Sequence, residues 1–102
     1  PKADQDLDEQ AFYYAMEANQ ELGHQFLVSA HETFALLSTQ PHLGWAPKLK
    51  HRDLKELRLF RVGGSFDKIL ILYRPRENRV EILRVLHGSQ NLQRLLPREG
   101  IE

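Results

Sequence analysis

Residues 79–96 read RVEILRVLHGSQNLQRLL, and this stretch decides the fold. Val80, Ile82, Leu83, Val85 and Leu86 form an apolar run of strand length, interrupted by Glu81 and Arg84, and Gly88 turns the chain after His87. Beyond the glycine, Leu92, Leu95 and Leu96 give the apolar face of a short helix that Pro97 ends. A strand covered on both faces rarely carries an arginine in its middle. Arg84 therefore predicts that one face of the sheet lies open to solvent or to a partner, and that this face is functional.

Working outward from that strand, residues 69–73 are a second continuous apolar run, and residues 54–62 alternate in part. Gly63 and Gly64 mark the first turn, and residues 74–78, with Pro75, mark the second. Both connections are short enough only for antiparallel hairpins. Further upstream, Pro41, Gly44 and Pro47 break the pattern around Trp45, which is expected to pack. Before that loop the period changes to 3.6. Leu7, Ala11, Tyr14 and Ala18 share one helical face, Leu22, Phe26, Ala30, Phe34 and Leu37 share another, and Asn19 separates them. Asp4, Asp6, Asp8 and Glu9 load the first turns with the charge that a helix N-terminus favours. The prediction is one α+β domain over residues 1–102: an antiparallel helical hairpin on one face of a three-stranded antiparallel sheet, with a short C-terminal helix. Leu7, Ala11, Tyr14, Phe26, Ala30, Phe34 and Leu37 are expected to be buried against the sheet. Pro1 suits a first helical position, so a capping residue is expected upstream of it.

Composition narrows the function classes. The chain has 102 residues, 41% of them apolar and 27% charged, an ordinary globular balance. No apolar run approaches the roughly 20 residues that a membrane span needs. The absence of cysteine excludes disulfides and thiolate zinc sites. These residues contain no secretory signal, and a cytoplasmic location is the expectation. Formal charge is zero, but it is unevenly placed: residues 1–40 carry one base and seven acids, and residues 41–102 carry thirteen bases and seven acids. A half at net −6 followed by a half at net +6 suggests that the second half meets an acidic partner.

The candidate chemistry is sparse. Arg58, Arg61, Arg74, Arg76, Arg79 and Arg84 read either as a basic surface for an acidic partner or as solubilising residues on strand edges and turns. His87 is a conceivable general base, but catalysis needs a matched partner, and a histidine before a glycine turn ordinarily bonds to nearby backbone. Tyr73 reads as core with its hydroxyl at the rim. His24, His31, His42 and His51 lack metal-ligand spacing, and no phosphate loop or nucleophile elbow is present. No metal or cofactor is expected.

The order of helix, helix and three strands, with QPHLGW in the loop, LRLFRV, ILILYR and then EILRVLHG followed by NLQRLL, resembles the ParE toxins of the RelE/ParE superfamily over nearly the whole chain. ILRVLHG is its most specific part. The resemblance implies a fourth strand before the first helix, ahead of Pro1, Lys2 and Ala3, which agrees with the capping residue expected upstream. It also implies a plasmid-stabilising toxin–antitoxin pair, in which a ParD-like antitoxin neutralises a non-enzymatic inhibitor of DNA gyrase. Direct nucleic-acid binding is not implied outside the antitoxin complex. The expected binding residues are Arg58, Arg61, Arg74, Arg84, His87 and Gln90. The competing branch is similar to RelE, a ribosome-dependent mRNA endonuclease. RNA cleavage through the 2′-hydroxyl needs proton-transfer groups and cations that hold the phosphate. Here residues 87–96 lack a tyrosine, Gln90 stands where many relatives carry arginine, and the second strand is aliphatic. A third possibility is an inactive module that only binds antitoxin.

Overall fold

A computed structural model describes residues 2–47 and 56–88. Helix α1 (Lys2–Glu17) and helix α2 (Gln20–Thr39) precede strands β1 (Arg58–Arg61), β2 (Ile69–Pro75) and β3 (Val80–His87). The sheet is antiparallel in the order β1-β2-β3. The α+β architecture expected from the sequence is the one observed. The proposed helix around Leu92, Leu95 and Leu96 lies outside the described residues, as does Leu54.

Asn19 makes the helical hairpin by capping. Its side-chain oxygen accepts a bond from the Leu22 amide at 2.8 Å, satisfying a donor that the first turn of α2 cannot pair internally. The helices then cross very closely, because Gly23 lies against α1. A Cβ at that position would stand 2.8 Å from the Ala11 carbonyl oxygen and 3.1 Å from the Ala15 Cβ. Alanines on one helix and a glycine on the other bring the two backbones together.

Leu7, Phe26, Ala30 and Leu37 are buried against Ile69, Ile71, Tyr73 and Val85 of the sheet, and Ala11, Tyr14 and Phe34 pack partly buried around them. The turn after β1 adds Phe66, whose ring meets Tyr14 and Phe26 at centroid distances of 5.1 and 5.4 Å. These are edge-to-face contacts, worth about 1 kcal/mol each beyond area burial. Val80, Ile82 and Val85 of β3 also join this core. Strict alternation could not place Ile82 and Val85 on one face. The strand manages it because its register shifts: Leu72 faces Arg84, but the next residue, Tyr73, faces Ile82. Leu83 is the extra residue, and it packs on the opposite face.

That opposite face is closed at its centre, in contrast to the open face that Arg84 suggested. Leu57, Leu59 and Leu72 are buried there, with Leu70 and Leu83 against them. Trp45 also departs from expectation. It is 43% exposed, and backbone bonds to Leu59 in both directions at 2.9 and 2.8 Å hold it at the edge of the sheet. Tyr73 is wholly buried, and its hydroxyl ties down the preceding loop, accepting from the Gly44 amide at 2.9 Å and donating to the Pro41 carbonyl at 2.7 Å. Gly44 has no room for a side chain, since a Cβ would stand 2.6 Å from both the Tyr73 hydroxyl and the Leu59 carbonyl oxygen. Among the described residues no helix is long and apolar enough to cross a membrane.

Candidate partner-binding surface

The sheet's cations are held by the fold before any partner arrives. Arg58, at the start of β1, donates from Nη1 to the Gly44 carbonyl at 2.6 Å, which fixes the loop that Tyr73 also holds. Arg61, at the other end of β1, donates to the Asp67 carbonyl at 3.0 Å, and its guanidinium lies 5.6 Å from the centroid of the Trp45 ring. That exposed pair is a cation–π contact on the outer edge of the sheet.

At the β2–β3 turn a single carboxylate organises three arginines. Glu81 Oε1 accepts from Arg74 Nε at 3.1 Å and from Arg76 Nε at 3.0 Å, and Oε2 lies 3.5 Å from Arg79 Nη2. The bonds from Arg76, and then from Arg74, hold the Glu81 carboxyl below its ordinary value. Register creates this hub, since Arg74 is the cross-strand partner of Glu81. The sequence contained the signal: an acid standing opposite a turn that reads RPRENR.

Arg84 has a different surrounding from the other arginines. Its Nε and Nη2 donate to the two carboxylate oxygens of Asp6 at 2.8 and 3.2 Å, and only 15% of the Arg84 side chain and 11% of the Asp6 side chain are accessible. Asp6 Oδ2 also accepts from the Val85 amide at 2.9 Å. That amide points away from β2, toward the outer edge of β3. Asp6 thus fastens α1 to the edge strand by three charge-assisted bonds. The sequence reading placed Asp6 among acids favouring a helix N-terminus and missed this role. Its position three residues after Ala3, on the border of the buried face, was the available signal.

The predicted binding residues therefore do not form one patch. Arg58 and Arg74 lie at one end of the sheet, beside a shallow depression lined by His42, Glu56 and Pro75. Arg61 and His87 lie toward the other end, on strands separated by β2. His87 is exposed, at an open depression shared with Glu9, Gln10 and Tyr13. Arg84 sits between these ends, turned to α1. Gln90 lies outside the described residues. Among the described residues no group of acids and histidines is placed to hold a metal ion.

Residues 1–92 match the family model described as the ParE toxin of the type II toxin–antitoxin system, parDE. Comparison with the curated proteins returned no match.

Proposed function

The chain belongs to the ParE toxin family of type II toxin–antitoxin systems, and from that premise we propose that it inhibits DNA gyrase by binding and that a ParD-like antitoxin neutralises it. The observation that carries the reading is the length of the family match, which takes in both helices and all three strands. We read residues 1–102 as one toxin domain, acting in the cytoplasm as half of a plasmid-stabilising pair.

Binding rather than catalysis is supported by how the cations are used. A phosphodiester-cleaving site needs guanidinium groups aimed at an empty position where charge will build. Here Arg58 and Arg61 donate to backbone carbonyls, Arg74 to Glu81 and Arg84 to Asp6. Cations so placed suit protein binding at both ends of the sheet, where Arg58, Arg61, Arg74 and His87 would meet the partner from separate positions; Gln90, outside the described residues, is kept as a contact on the resemblance alone. Arg84 contributes by keeping β3 in place against α1, and its surface is small.

The test is a side-by-side assay of the purified full chain. Gyrase supercoiling should be inhibited in proportion to toxin, the inhibition should disappear on adding the antitoxin, and ribosome-bound messenger RNA should remain intact. Ribosome-dependent cleavage with unaffected gyrase would establish the endonuclease reading instead.

A further inference from the structure

Helix α1 buries one side and leaves an unexpected amount of apolar surface on the other. Ala3 and Leu7 are buried, with Ala11 and Tyr14 packed partly behind them. At 100° per residue the opposite meridian passes through Phe12 and Met16, one turn apart. Phe12 is 67% exposed and Met16 68%, and Tyr13 beside them is 56% exposed. Single exposed apolar residues are ordinary, but three large ones on two adjacent turns form a patch, and patches mark contact sites.

The charges around the patch select its occupant. Asp4, Asp8, Glu9 and Glu17 are exposed on the same helix, and Lys2 is its only base. These carboxylates repel phosphate, so neither nucleic acid nor an anionic lipid surface suits the site. Pairing of α1 with α1 of a second copy would bring together two faces of the same negative charge. A partner segment with apolar side chains at helical spacing and lysines or arginines at its margins meets both features. We propose that the outer face of α1 is a docking site for a basic amphipathic helix of a partner protein, separate from the basic rim of the sheet that suits an acidic partner. Phe12 and Met16 supply the apolar contact, and Asp8 and Glu9 supply orientation and salt dependence.

The probe is a synthetic 18-residue peptide with leucines on one helical face and lysines on the other. Its controls are a scrambled peptide of equal charge and a version with glutamates for lysines. The full chain is titrated with each by fluorescence anisotropy, free and in its antitoxin complex. The amphipathic lysine peptide should bind both forms, weaken as salt is raised, and bind about tenfold more weakly to F12S/M16S. Both substitutions are on the exposed face, so circular dichroism and Tm should stay unchanged. D8N/E9Q gives an independent reading and should weaken binding without removing the apolar patch. The glutamate and scrambled peptides should not bind. Equal binding by the scrambled peptide, binding unaffected by both double substitutions, or no binding would overturn the proposal. So would binding only to the free chain, since the antitoxin would then be the occupant. A dimer-to-monomer change caused by F12S/M16S would assign the face to self-association and also overturn it.

Discussion

Asp6 and Arg84 show how one residue pair can change the use of a strand. An arginine in the middle of β3 suggested an exposed functional cation, but a carboxylate from α1 takes its Nε and Nη2 and the neighbouring Val85 amide. Removing one partner of a mostly buried pair leaves the other charge desolvated and uncompensated, which costs about 3–5 kcal/mol. Arg84→Ala and Asp6→Ala should each lower the unfolding free energy by that order, and the double variant should be destabilised by much less than the sum. A urea-unfolding cycle of the four proteins measures the coupling. Additive effects would mean that the two side chains act independently. Any loss of toxicity in Arg84→Ala has to be corrected for this loss of folded protein before it is ascribed to a partner contact.

At the scale of elements, the α1–α2 crossing rests on Gly23. Alanine is about 1 kcal/mol better than glycine inside a helix, so propensity alone would have Gly23→Ala stabilise the protein. The Ala11 carbonyl oxygen, 2.8 Å from the position of the new methyl, opposes this and would force the helices apart. Gly23→Ala should therefore lower Tm, and a rise would show that the hairpin yields at little cost. Such crossings are hard to read from sequence. The helices, turns and strands were legible because apolar spacing changes from 3.6 to 2 along the chain, and Leu7, Phe26, Ala30 and Leu37 proved to be core. The exposed Trp45, the buried Phe66 and the extra residue Leu83 were not legible. Each depends on register or on a loop path, which local spacing does not specify. Of the candidate site, the arginines were visible as residue types, but their partners Glu81, Asp6 and the Gly44 carbonyl exist only after strands and helices meet.

Over the described residues, charge is divided between a helical layer rich in acids and a sheet rich in bases, and two groups with displaced titration, Glu81 and Tyr14, link stability to pH. Glu81 is held below its ordinary value of 4.5, so its contribution is present above that value and is lost as pH falls through the lowered one. Burial, and then the neighbouring Tyr13, raise the Tyr14 hydroxyl above 10.0, so its contribution is present below that pH and is lost as pH rises through the raised value. Chemical denaturation across pH reads the contribution of each group. Glu81→Gln should flatten the acid limb below pH 4.5, and Tyr14→Phe the alkaline limb above 10; unchanged limbs would exclude these groups as the cause. The clamp between α1 and β3 also bears on synthesis. It joins positions 78 and 79 residues apart, so the carboxylate of Asp6 leaves the ribosome long before Arg84 and the Val85 amide are translated. A nascent chain stalled before residue 84 can form its helical hairpin but cannot lock it to the sheet. Native order is therefore a late event in translation, and a truncated product released earlier lacks the tie between α1 and β3.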